Sequence, residues 1–178
     1  MPFSGPASSF PPQSQWISWE DLWNNFEPSL LQVNGQANTG FLKDAIVSVA
    51  QQSNVIDQRA ILAVVIQESS GNVQVQSTTS PGAAVNNPGL MQSHNGVSYN
   101  PQDPQGSILQ MIKDGTLGTA SGDGLVQCYG ENGNNIYAAF RCYNSGSVDA
   151  TNLSNGLGAT DSYVSDIANR LIGNSPQN

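Results

Sequence analysis

Charge is scarce in this chain. Only 10% of its 178 residues are Asp, Glu, Lys or Arg, against roughly 25% in a typical soluble protein. Positive charge is scarcer still: five Lys and Arg face thirteen Asp and Glu, for a formal net charge of -8. Proteins that grip phosphate backbones carry a basic footprint, so nucleic acid is excluded as a partner. The same shortage excludes a polybasic attachment to a membrane surface. No apolar run approaches the roughly 20 residues of a spanning helix, so no membrane partner is expected. Two cysteines and a lone His94 do not make a structural zinc site. No metal or organic cofactor is expected. Met1-Pro2-Phe3 has neither a charged start nor a long apolar stretch. Either a leader has been removed or export follows another route.

What is present points to a folded domain. Hydrophobic residues reach 38% and recur periodically, which argues against disorder. The length suits one domain with a real core. A surface this poor in charge must be covered by Ser, Asn, Gln, Thr and Gly, as many extracellular proteins are. Cys128 and Cys142 close a loop of about 15 residues, which an oxidised pair stabilises by roughly 3 kcal/mol. In a reducing compartment they would be two buried thiols. With the acidic, Lys-poor surface, a Cys128–Cys142 disulfide and a secreted location are expected, as is a monomer. The Asn152-Leu153-Ser154 triplet is an N-glycosylation acceptor pattern compatible with secretion.

Residues 1–15 are rich in Pro and Ser and lack periodicity, and read as a flexible or surface-draped tail. Residues 16–178 read as a single domain. Ser18, with Asp21 three residues on, marks a helix start. Trp16, Trp19 and Trp23 then fall along one face, either as a sugar-stacking platform or as staples onto the body. The stapling role is preferred, because a helical stripe is usually core. A second helix is predicted from near Thr39 to Gln52, burying Phe41, Ala45, Ile46 and Val49. Asp57 caps a third. Its middle, Ala60-Ile61-Leu62-Ala63-Val64-Val65-Ile66, is apolar on every side, which makes it the central, buried helix. It ends in Gln67-Glu68-Ser69-Ser70-Gly71, with the Gly as cap. Val73-Gln74-Val75-Gln76 alternates as a short strand would. Asp103-Pro104 opens a helix carrying Ile108, Met111 and Ile112 and ending at Gly115. Loops are expected from Gly115 to Asn135. A helix with Ile136, Phe140 and Tyr143 inward stops near Gly146. A last helix, about Thr160 to Ile172, turns Val164, Ile167, Ala168 and Leu171 inward. The fold class is mainly α: a helical bundle around a central helix ending at Glu68, with a small loop and short-strand region after it.

Glu68 stands out on physical grounds. It shares a face with Ile61 and Val64 of the buried helix. A carboxylate there meets the negative end of the helix dipole. Burial and dipole both disfavour the charged form and push the pKa upward. That suits an acid which must hold a proton near neutral pH and then donate it. The following loop, with Ser77, Gly89, Met91 and Gln92, offers neutral hydrogen-bonding groups that suit an uncharged polyhydroxylated substrate. Glycoside hydrolysis usually needs a second carboxylate, and none lies between Glu68 and Gln92. Asp103, Asp114, Asp123 and Glu131 come later and read as capping or loop acids.

These residues carry a family resemblance. Ala63-Val64-Val65-Ile66-Gln67-Glu68-Ser69-Ser70 resembles the catalytic helix end of the lytic transglycosylase and goose-type lysozyme group, glycoside hydrolase family 23. Gly89-Leu90-Met91-Gln92 is similar to that group's Gly-Leu-Met-Gln segment. Ala139-Phe140-Arg141-Cys142-Tyr143-Asn144-Ser145-Gly146 resembles its third motif, commonly Ala-Tyr-Asn-Ala-Gly. The resemblance spans roughly residues 40–148 and implies a lysozyme-like α+β fold. It also implies roles: Glu68 as general acid and then base, Ser77 near the cleaved bond, and Gly89, Met91 and Gln92 lining the sugar groove. Tyr143 would support Glu68 or the substrate, with Asn144 fixing that turn; the alternative for both Tyr143 and Met91 is plain core packing. The sequence departs from the pattern between Gly82-Ala83 and Gly89, where Ala84-Val85-Asn86-Asn87-Pro88 stands in place of one residue. Ser80 therefore rivals Ser77. After Gln92 the group's apolar residue and Pro are replaced by Ser93-His94-Asn95-Gly96, and His94 reads as a solvated loop residue.

The implied activity is that of a secreted, antibacterial muramidase (lysozyme). It would cleave the β-1,4 bond between N-acetylmuramic acid and N-acetylglucosamine in peptidoglycan. The alternatives are a lytic transglycosylase giving 1,6-anhydro products, a glycosidase acting on chitin, another β-1,4-linked N-acetylhexosamine polymer, and a non-catalytic glycan-binding protein.

Overall fold

The computed structural model describes residues 2–80 and 85–174. Six α-helices, two short 3-10 helices (Ala7–Ser9 and Gln13–Gln15) and one two-stranded antiparallel sheet make up the regular structure among them. The chain is mainly helical, as its hydrophobic periodicity predicts.

Helix α1 spans Trp19–Ser53. Ser18 starts it: its Oγ accepts the Asp21 N–H at 3.1 Å and donates to Asp21 Oδ2 at 2.7 Å. The two N-terminal helices read from the sequence are the two arms of α1, broken at Gly35 (φ 74°, ψ 172°). Only glycine adopts that backbone without strain. Across the break, Thr39 Oγ1 donates to the Leu30 carbonyl at 3.1 Å and is itself buried. Leu22, Trp23 and Leu30 from the first arm and Leu42, Ile46 and Val49 from the second face the core. Phe41 is only half-buried.

Helix α2, Gln58–Ser69, is the central helix. Asp57 caps it by accepting the Arg59 N–H at 2.8 Å, and also grips the Arg59 guanidinium. Ala60 through Val65 are fully buried, because α1 and α6 pack on either side. Ser70, rather than Gly71, is the C-cap. It sits in the left-handed region (φ 53°) and donates its N–H to the Ile66 carbonyl.

Strands β1 (Thr78–Thr79) and β2 (Asn86–Asn87) pair antiparallel, Thr78 with Asn87 and Thr79 with Asn86. The strand expected at Val73–Gln76 is instead a turn. Val73 is buried and hydrogen-bonded to the Asn34 side chain, and the Val75 N–H returns to the Asn72 carbonyl. Its alternation reflected one anchored valine, not a pleat.

Helix α3 spans Pro104–Leu117, capped by Asp103. It passes through Gly115 and ends at Gly118. Gly115 is there because the Met91 side chain lies against its Cα: an added Cβ would sit 2.4 Å from Met91 Cβ. The expected loop 115–135 contains a further helix, α4, at Leu125–Glu131. Only Leu125 and Cys128 are buried in it, too few positions to show a period. Helix α5, Ile136–Ser145, ends at Gly146 in the left-handed region. Helix α6 is Tyr163–Leu171, and Val164, Ile167, Ala168 and Leu171 are fully buried as expected.

The Cys128–Cys142 disulfide is formed and joins α4 to α5. None of the described helices is long and apolar enough to cross a membrane. The N-terminal segment is draped on the body and enters its core. Phe10 stacks on Tyr137 with centroids 5.0 Å apart, and the Tyr137 hydroxyl donates to the Pro11 carbonyl at 2.6 Å. Trp16 precedes α1, so the three tryptophans do not share one helical face. Trp16 and Trp23 are buried, and Trp16 Nε1 donates to the Tyr137 hydroxyl at 2.8 Å. Trp19 is half-buried against Trp23. These rings staple the segment.

Candidate active site

Glu68 lies one residue from the end of α2, where the buried helix reaches the surface, and is half-buried. Ser69, next to it, fixes that end. Its Oγ bonds the Val65 carbonyl at 2.9 Å and the Leu90 carbonyl at 2.8 Å, so α2 and the 89–93 loop are locked together.

Two tyrosines bracket the acid. The Tyr163 hydroxyl, from the first residue of α6, donates to Glu68 Oε1 at 2.5 Å. Tyr143, from α5, lies close enough for the Glu68 charge to act on its phenol. Its hydroxyl donates to the Met91 carbonyl at 2.8 Å and lies 3.4 Å from Ser93 Oγ. The hydroxyl that reaches the acid thus belongs to Tyr163, while Tyr143 braces the loop beside it.

Burial removes water from the Glu68 carboxylate and raises its pKa from 4.5 to about 7; the Tyr163 hydrogen bond, which favours the anion, pulls the other way. Burial first, and then the Glu68 charge, push both phenols up. Both tyrosines therefore stay neutral donors over the range in which Glu68 titrates. The result is a carboxyl that titrates near neutrality and whose Oε1 is held by the Tyr163 hydroxyl.

The other sequence-picked residues fall into two groups. Gln92 sits at φ 49° and spends its side chain on the loop. Its Oε1 accepts from Thr78 Oγ1 at 2.8 Å, and its Nε2 donates to the Gln76 and Gly89 carbonyls. Ser77, between Gln76 and β1, is exposed. Ser80 is half-buried, accepting from Asn87 Nδ2 at 2.9 Å. Asn144 Oδ1 accepts from the Arg141 guanidinium and from the Thr160 N–H, tying α5 to the segment before α6.

Met91 and Gly89 do not line a groove. The Met91 side chain is fully buried against Gly115 and Thr116, and only its carbonyl serves the site. Gly89 is also buried, at φ 81°, where an added Cβ would lie 2.7 Å from the Val97 carbonyl oxygen. Its role is close backbone approach. His94 is exposed, as expected, with its ring 3.5 Å from Ser80 Oγ. The Gly82-Ala83 pair lies outside the described residues.

Among the described residues no second carboxylate acts on Glu68, whose shift comes from burial and Tyr163. Asp103 caps α3. Asp114 is buried and engaged by the Val97 N–H and Gln110 Nε2. Asp123 and Glu131 are exposed. No cluster of three or more His, Cys, Asp or Glu able to hold a metal occurs among the described residues.

Tyr163 escaped the sequence reading, although a signal was available. It lies four residues before the inward Ile167 on α6, and a phenol on a buried face needs a hydrogen-bond partner. A hollow of about 420 Å³ between the N-terminal segment and Tyr137 is lined by Asp57, at the opposite end of α2 from Glu68. The Tyr137 hydroxyl is engaged there on both sides, and the Asp57 carboxylate is held by Arg59 and Gln13. Comparison of the chain with protein-family models, with curated proteins and with solved structures finds no match.

Proposed function

We propose that this chain is a muramidase of lysozyme-like fold, cleaving the β-1,4 bond between N-acetylmuramic acid and N-acetylglucosamine. The observation that carries the reading is the Glu68 carboxyl: at the end of a buried helix, with a pKa near 7, and fixed by the Tyr163 hydroxyl. An acid poised this way matches the need to give up a proton and later take one back near neutral pH. Its surroundings are hydroxyls and amides, which suit a neutral sugar chain. The family resemblance quoted above adds the substrate class.

In this scheme Glu68 protonates the glycosidic oxygen, and the bond to C1 of the muramyl residue breaks. Positive charge develops at C1 and the ring oxygen. The Glu68 carboxylate, now anionic and hydrogen-bonded by Tyr163, then accepts a proton from the attacking hydroxyl. When water attacks, the product is a reducing sugar. When the muramyl C6 hydroxyl attacks, the product is a 1,6-anhydro end. One observation favours this second outcome: among the described residues no other carboxylate acts on Glu68, and hydrolases of this kind usually use two. The disulfide supports a secreted location, since such bonds persist in oxidising compartments.

Mass spectrometry of purified peptidoglycan and of chitin after incubation tests the proposal. Muropeptides are expected from peptidoglycan, with anhydro ends lighter by one water if C6 attacks. Fragments from chitin alone would move the substrate. Cleavage of neither polymer would overturn the proposal in favour of a glycan-binding protein.

A further inference from the structure

Arg141 is fully buried and sits on α5, two residues before Tyr143. Ion pairs among the described residues join Lys43 to Glu20 and Arg59 to Asp57, and Arg141 takes part in neither. Its acceptors are neutral: the Thr160 carbonyl at 3.0 Å, the Leu153 carbonyl at 3.5 Å and Asn144 Oδ1. Its Nε finds no partner at all. A buried cation with only neutral partners is costly, and apolar replacements of buried charges are often harmless. Stability alone does not account for it.

The guanidinium carbon lies 5.9 Å from the centroid of the Tyr163 ring, within the range of a cation–π contact. The hydroxyl of the same ring donates to Glu68. Cation, phenol and carboxylate are thus joined by successive contacts from α5 through α6 to α2. A cation on the ring draws electron density from the phenol oxygen and makes its O–H a stronger donor. A stronger donor favours the ionised carboxylate.

We propose that Arg141 is a positioning residue which acts through the Tyr163 ring to hold the phenol on Glu68 and to stabilise the Glu68 anion. This inference rests on the assignment of Glu68 as acid and base. Burial favours the protonated carboxyl; Arg141, through Tyr163, favours the anion that the second step needs.

Other charged groups also face these residues. Asp161, just before α6, acts on Arg141 from the exposed side and weakens its field. Arg170 of α6 is held by Gln67, faces Asp166 and also acts on Tyr163, in the same sense as Arg141. Tyr143 of α5 acts on Tyr163, and Asp114 of α3 acts on Tyr143.

The test follows the Glu68 carboxyl itself. The chain has four glutamates, Glu20, Glu27, Glu68 and Glu131, so carboxyl-¹³C-glutamate labelling gives four resolvable NMR titrations. Arg141→Gln keeps donors for the Leu153 and Thr160 carbonyls but removes the charge. Arg141→Met is the second neutral variant should the first fold poorly, and Arg141→Lys keeps the charge. Neutral variants are expected to raise the Glu68 midpoint by roughly half a pH unit or more, about a threefold change in proton affinity. Arg141→Lys is expected to raise it less. In a Tyr163→Phe background the effect of Arg141→Gln should vanish. An unchanged midpoint in folded Arg141→Gln or Arg141→Met, or the same rise in the Tyr163→Phe background, would overturn the proposal and leave Arg141 as a tie for the 149–160 segment. A wild-type Glu68 midpoint in the ordinary carboxylate range would instead bring down the assignment of Glu68 itself.

Discussion

At the scale of single residues, Glu68 is a destabilising group. Its pKa in the folded chain, about 7, lies above the ordinary 4.5, so the folded state holds the proton more tightly than the unfolded one. Its contribution to stability is therefore fully present below about pH 4.5 and lost as pH rises through 7. The shift corresponds to up to about 3 kcal/mol. Relative to wild type, Glu68→Gln should gain stability by up to that amount between about pH 4 and 8. Urea unfolding at several pH values measures this, and a pH-independent difference would show that burial does not disfavour the charge. Glu68 was legible in the sequence because apolar helix, helix end and acid are contiguous. Tyr163 was not, because its contact with Glu68 spans 95 positions. Arg141 was invisible for the same reason: its acceptors at Leu153 and Thr160 come together only when α5 and α6 pack. Met91 misled in a different way. Its position in a motif said nothing of which way its side chain turns, and Gly115 takes it into the core.

At the scale of elements, strong periodicity and caps were readable, and weak ones were not. The Ser18, Asp57 and Asp103 caps each start a helix as the sequence implied. Helix α4 and the β1–β2 pair escaped. Seven residues with two buried positions, and two-residue strands, carry no measurable period. The break at Gly35 shows how one residue reshapes a long helix. Its backbone is closed to other residues at a cost of order 1–3 kcal/mol, while the space around it is open. Gly35→Ala should therefore lower stability by that amount through backbone strain alone, read as a drop in the urea midpoint. A neutral or stabilising effect would mean that the two arms of α1 can straighten into one helix.

At the scale of the whole molecule, the scarcity of charge bears on encounter. Peptidoglycan-bearing walls are often anionic, and a chain of net charge -8 gains no steering toward them. Repulsion is screened within about 10 Å at 0.1 M salt. On the proposed function, the rate of wall lysis should therefore rise from low to moderate salt, as turbidity clearance would record. A steep fall over that interval would show that local attraction outweighs net charge. The main core takes in Phe10 and Trp16, and these anchors drape the N-terminal segment on the body. Draping was one of the two states that its Pro- and Ser-rich composition allowed; the composition did not show which apolar residues would anchor it.

The most direct test of the account is the rate at which Glu68→Gln releases muropeptides from purified peptidoglycan, measured beside wild type at pH 6. The substitution keeps the shape and an acceptor for Tyr163 but removes the transferable proton. A loss of about 10²-fold or more, in a protein that folds as wild type does, is the predicted result. Release within a few-fold of wild type would contradict the assignment of Glu68 as the acid.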